Sequence, residues 1–254
     1  MRSTLLLIFL SICSYSYAQI TPYGFDLDSL KLMVEEDTTY LKELNEIFFE
    51  TDSIVDFGTA YWIYYGSAYL DSYSPYGERM SSRLTNELRE NGQHKEMIEM
   101  SEGLYRSNPG FVRALLDIGL AHESLEDTLM AKKYFEKYVS LLSVPFNSGS
   151  GESIDSAIIV RSVDDEYLII GEYGYRMKAQ SLVFENDIPY DVMETENADG
   201  EERTFYFNIY QPYILGLRDL LGGDLKEDNK QETKKEKRKR KKEERKKKKA
   251  DKKA

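Results

Sequence analysis

The sequence predicts an α+β protein: an all-α half, then a small β-α-β-β-β-α unit with a mainly antiparallel sheet. Three observations carry that reading. Residues 28–145 read as consecutive amphipathic helices with short breaks. After Pro145 the spacing changes to short apolar runs divided by Gly, Asn and Asp. Residues 226–254 contain no aromatic and no branched aliphatic residue, so they cannot contribute a core and are expected to be disordered.

The chain begins with a charge at Arg2, an apolar run Leu5–Leu10 and small residues up to Ala18. That is the layout of a secretory signal peptide over 1–18, with a mature start at Gln19. The expected location is therefore exported, periplasmic or extracellular. The apolar run is shorter than the ~20 residues a bilayer span needs. The one cysteine, Cys13, falls inside this segment. The large Ile12 before it argues against lipid attachment, and the mature chain has no thiol for a disulfide, a nucleophile or a metal.

The elements follow in order. Asp28-Ser29 can cap a first helix. A second runs near Thr39–Glu50, with Tyr40, Leu41, Leu44, Ile47 and Phe48 at helical spacing. A third covers about 59–73. Asn91-Gly92 closes a helix at Gly77–Glu90, and Asn108-Pro109 closes the next, at Gln93–Arg106. Phe111–Leu125 and Thr128–Leu142 complete the helical region, 19–145.

Pro75 and Pro109 lie 34 residues apart, as do Gly58 and Gly92. That period resembles tetratricopeptide helix pairs. The best unit is Phe111–Ser143, where Leu115, Ile118, Gly119, Ala131 and Phe135 stand at the repeat's packing positions. A degraded unit, 77–110, precedes it.

The third helix carries Tyr61, Tyr65, Tyr69 and Tyr73 as a stripe, with Trp62 beside it. Tyrosines on a concave helical face bind peptides or sugars, so Trp62, Tyr65, Tyr69, Tyr73 and Tyr76 form a candidate binding surface. A stripe at this spacing equally fits a core seam, and that is the simpler reading.

In the α+β region, 146–224, Asn147–Gly151 reads as a flexible loop, and Ser148 and Ser150 are its candidate binding groups. Ala157–Val163 reads as a buried strand. Asp164 can cap a short helix ending at Gly171. Strands follow at Met177–Phe184, Pro189–Thr195 and Arg203–Ile209, the last two joined by a hairpin at Asn197-Ala198-Asp199-Gly200. Pro212–Leu221 closes the unit, and the tail occupies 225–254.

Ser148–Ser153, Asp165-Glu166-Tyr167, Gln180-Ser181-Leu182 and Phe205–Ile209 together resemble an uncharacterised secreted bacterial family, domain-of-unknown-function family 4919. Tyr64-Tyr65-Gly66 and Tyr73-Ser74-Pro75-Tyr76 are similar to its upstream pattern. The resemblance spans about Phe25 to Leu221. It implies an envelope location and a helical-repeat-plus-α/β build, and no activity.

No familiar catalytic set stands out. The Gly-Ser loop has neither the lysine of a phosphate loop nor a nucleophile elbow. Asp164-Asp165-Glu166 could pair carboxylates, but acids also suit the start of a helix. His94 and His122 are the only histidines and belong to no metal motif. No cofactor and no metal site is expected. Residues 226–254 balance at +10, whereas 19–225 hold 16 Lys and Arg against 38 Asp and Glu, a balance of −22. The tail suits an anionic surface. It lacks the aromatics of a nucleic-acid platform. The function expected is a non-catalytic protein- or peptide-binding scaffold of the envelope. The alternatives are a carboxylate-based hydrolase of an envelope polymer and anion binding through the tail.

Overall fold

The computed structural model describes residues 27–51 and 55–220. The segments read as a signal peptide and a basic tail lie outside these residues. The described residues as far as Leu217 form one compact unit.

The helices are α1 (Leu27–Glu36), α2 (Thr38–Glu50), α3 (Phe57–Gly66, continued by a 3-10 turn to Tyr69), α4 (Gly77–Glu90), α5 (His94–Ser107), α6 (Val112–Ser124) and α7 (Thr128–Phe146). A two-residue strand β1 (Ile158–Ile159) and helix α8 (Val163–Glu172) follow. Then come β2 (Tyr175–Glu185), β3 (Ile188–Asn197), β4 (Glu202–Asn208) and α9 (Tyr210–Leu220). The order is the expected β-α-β-β-β-α. The four strands form one mixed sheet, β1-β4-β3-β2, with only β1–β4 parallel.

Local chemistry explains the boundaries. The Asp37, Asp56 and Asp127 side chains accept the first free N–H groups of α2, α3 and α7. Helix α4 ends at Asn91, and Gly92 then takes φ +70. Helix α7 runs past the expected Leu142 and contains Pro145. A proline in the last turn forfeits only its own N–H, and Asn147 N still reaches Ser143 O at 3.1 Å. A second hairpin, not anticipated from the sequence, joins β2 to β3 through Asn186 and Asp187, both at positive φ (51 and 66).

Helix α6 packs against α5 and α7 on its two flanks, and α3 lies on α7. Gly119 sets the α6–α7 approach: a Cβ there would stand 2.7 Å from the Phe135 ring. One hydrophobic cluster runs from Leu30 through Tyr64, Leu115 and Leu141 to Ile158, Ile169, Met193 and Phe207. The helical region and the α+β region thus share a single core.

Candidate functional site

The tyrosine stripe is the seam between these two regions. Tyr65 is fully buried, and its hydroxyl donates to Ile159 O at 2.9 Å. Tyr73 is buried and donates to Arg161 O. Neither is available to a ligand, which corrects their assignment to a binding surface. The reason is that a tyrosine ring buries apolar area while its hydroxyl satisfies a strand carbonyl across the seam. Tyr69 is partly buried and donates to Leu27 O at 3.2 Å. Trp62 is partly buried, edge-on to Tyr40 with centroids 6.0 Å apart. Tyr76 is the exposed member, yet one side of its ring lies against Gly216 of α9, where a Cβ would meet it at 2.5 Å.

Ser148 is also buried. Its Oγ donates to Pro145 O at 2.7 Å and accepts from Ile159 N at 2.8 Å, so it ties α7 to β1. Ser150 is exposed and donates to Ser156 Oγ at 3.1 Å. Expected as a flexible loop, the segment is laced to its neighbours: Gly151 N reaches Ser156 O at 2.8 Å, and Gly151 O accepts Tyr206 N at 3.0 Å.

The strand expected over Ala157–Val163 stops at Ile159, because the chain leaves the sheet to deliver Arg161 into the core. Arg161 has no exposed surface. Its guanidinium donates to Gly110 O at 2.6 Å, Glu78 Oε1 at 2.8 Å and Asn108 Oδ1 at 2.9 Å. It therefore joins the start of α4 and the α5–α6 turn to the β1–α8 link. Gly110 makes the approach possible. It sits at φ +81, and a Cβ would press on Ile63 O at 3.0 Å. Ser162, not Asp164, caps α8, accepting Asp164 N at 3.1 Å. Asp164 accepts instead from Ser82 at 2.8 Å.

Asp165 is fully buried and accepts the Tyr64 hydroxyl at 2.7 Å. Burial first, then the Glu78 carboxylate, pushes its carboxyl well above the usual range, against the pull of Arg161. Burial likewise raises Glu78. Arg161 would be lowered by burial, but Glu78 and Asp165 outweigh that and hold it above its ordinary value. Asp191 of β3 is raised by burial, partly offset by hydrogen bonds with Gln180, at 2.6 Å, and Glu166.

Asp164 and Asp165 thus supply structural contacts to two different helices, α4 and α3. The sequence signal for this is the Ser-x-Asp-Asp-Glu run itself, which reads as a helix start or as paired carboxylates. Arg161, the hub of the network, was passed over as an ordinary strand residue.

The accessible concavities are elsewhere. A groove of about 610 Å³ runs along α7 to the start of α3. Val55, Phe57, Ala131, Phe135 and Val139 give it an apolar lining, flanked by Glu123 and by the ion pair Lys132–Glu136 at 3.7 Å. A second cleft, about 470 Å³, lies between α2 and α5, with Phe49 and Tyr105 as its floor and Lys42 and Arg106 at its rim. Among the described residues, no group of three or more His, Cys, Asp or Glu side chains is placed to hold a metal ion. No described helix is long and apolar enough to cross a membrane.

No curated protein and no solved structure matches the chain. A protein-family profile does match, over residues 28–214, from the start of α1 into α9. The chain belongs to the family described as domain of unknown function DUF4919.

Proposed function

We propose that this protein is an exported, non-catalytic binding module of the bacterial envelope that holds a protein segment on its helical half. The observation that carries the reading is the 610 Å³ apolar groove along α7. Val139 and Phe57 stand 61% and 46% exposed in it, although the rest of the α7 seam is packed. Glu123 on its flank, on a body balanced at −22, favours an apolar segment that carries Lys or Arg. The 34-residue period and the Gly119–Phe135 approach support a tetratricopeptide-like array for α4 to α7. The charge-apolar-small layout of residues 1–18 supports export.

The test is crosslinking capture from envelope extract with the full chain, a copy ending at Asp224, and the full chain carrying Val139→Asp. The expected result is one protein captured by the first two and lost with Val139→Asp, crosslinked through an apolar segment that carries Lys or Arg. Capture unaffected by Val139→Asp overturns the groove assignment. Capture that vanishes with the tail or with salt assigns binding to residues 226–254 instead.

A further inference from the structure

The groove along α7 follows one face of that helix. From Thr128 through Ala131, Phe135 and Val139 to Ser143, its lining residues recur every three or four positions. That spacing keeps them on one side of α7 over a rise of about 22 Å. Helix α3 supplies Phe57 to the same groove, and both Phe57 and Val139 stay exposed in it.

The backbone around the groove decides what form of chain can lie there. Of the lining residues only Val55 falls outside α3, α6 and α7, and no strand is among them. Backbone groups within a helix are already bonded inside it. The groove therefore offers no row of open N–H and C=O groups along its length. An extended segment depends on such a row, as in strand addition at a sheet edge. Laid here, it would leave its inward N–H and C=O groups unmet against Phe135, Val139 and Phe57. The polar side chains do not make up for this. Lys132 and Glu136 pair with each other at 3.7 Å, and Ser143 Oγ donates to Ser140 O at 2.7 Å. A helix brings its own backbone bonds and turns only side chains to the wall.

One charge is left over. Glu123, in the last turn of α6, lines the groove and forms no ion pair with a described residue. Only residues 125–127 separate α6 from α7, so Glu123 marks the Thr128 end. A Lys or Arg in the last turn of a docked helix would meet Glu123 there and would also suit that helix's own dipole.

We propose, resting on the groove reading above, that the segment held along α7 is an amphipathic α-helix of about four turns. Its apolar residues, at i, i+3, i+4 and i+7, face Val139 and Phe57. Its last turn carries Lys or Arg beside Glu123, so it runs antiparallel to α7.

The test uses the full chain and a fluorescein-labelled eighteen-residue peptide of Ala and Gln, with Leu at alternating three- and four-residue spacing and Lys in its last turn. The peptide is expected to bind in fluorescence anisotropy, to gain helical circular dichroism on binding, and to weaken about tenfold or more with Val139→Asp. The same peptide with a central proline on its polar face keeps every Leu but cannot form the helix, and is expected to lose binding equally. Glu123→Gln should weaken the Lys peptide and leave unchanged a version with Gln in place of that Lys. Binding that survives the proline overturns the helix and leaves the groove reading standing. So does a helical peptide that fails to bind while Val139→Asp still abolishes capture from envelope extract. Peptide binding indifferent to Val139→Asp overturns the proposal, and capture equally indifferent overturns the groove reading with it. Indifference to Glu123→Gln overturns the antiparallel placement.

Discussion

The Arg161 guanidinium meets the Glu78 carboxylate at 2.8 Å with both side chains shut off from solvent, at 0% and 1% exposure. Glu78 starts α4 and Arg161 lies between β1 and α8, so a single ion pair fastens the helices to the sheet. Replacing Arg161 with Met would leave the Gly110 carbonyl unmet and Glu78 without its counter-charge, held only by hydrogen bonds such as that from Asn108 Nδ2 at 2.6 Å. The expected loss is about 3–5 kcal/mol in urea denaturation. Arg161→Lys is expected to recover little, because one ammonium cannot reproduce the guanidinium fork. A loss below about 1 kcal/mol for Arg161→Met would remove the pair from the account of stability.

Asp165 gives the fold a pH dependence of definite sign. Its folded value lies above the unfolded one, so the folded chain retains a proton that the unfolded chain releases. That contribution is complete below about pH 4 and is lost as pH rises toward the folded value. Asp165→Asn still accepts the Tyr64 hydroxyl but titrates nothing. Its stability is expected to fall less steeply than the parent's above about pH 4, with Glu78 and Asp191 supplying the remaining slope. Identical slopes in parent and variant would exonerate Asp165.

Gly119→Val should overpack the α6–α7 contact, since the Phe135 ring already occupies the space a Cβ needs. The expected cost is about 1–3 kcal/mol. The double variant with Phe135→Leu should regain a good part of it. Additive losses in the double-mutant cycle would mean the two residues do not meet as described.

Lys137 is buried on α7, and its ammonium donates to the carbonyls of Phe48 and Phe49. Those carbonyls belong to the last turn of α2, which has no intrahelical partners for them. Lys137→Met is expected to cost about 1–3 kcal/mol and to fray α2 first in hydrogen exchange. The neighbouring Arg106–Glu50 pair, at 2.7 Å, is largely exposed, so Arg106→Ala should change stability little. The reverse order of the two effects would contradict the burial argument.

Much of the fold was legible because local signals and packing agreed. Helices α4 to α6 fall within a residue or so of the sequence expectation, since Asn91-Gly92 and Asn108-Pro109 are unambiguous stops. The hairpin at Asn197–Gly200 was equally plain, and Asn197 Oδ1 does accept Asp199 N at 3.0 Å and Glu201 N at 2.9 Å. The accessible concavities were not legible. Phe57 and Val139 look like ordinary helix residues, and only the way α3 meets α7 leaves them facing outward. Tyr65 and Tyr73 were ambiguous for the opposite reason: a tyrosine serves a surface and a seam equally well until its hydroxyl partner is known. Arg161 was hidden by the apolar run around it, because a strand and a core-bound loop have the same composition there.

The seam also has a kinetic meaning. Tyr64 to Asp165, Tyr65 to Ile159 and Tyr73 to Arg161 span sequence separations of 101, 94 and 88 residues. An ordinary array of helix pairs folds from neighbour to neighbour and tolerates the loss of its last units. Here the early helices remain unfinished until β1 and α8 have been synthesised and delivered to them. Folding should therefore be slow for so helical a chain, and unfolding should be one cooperative event in which helices and sheet melt together.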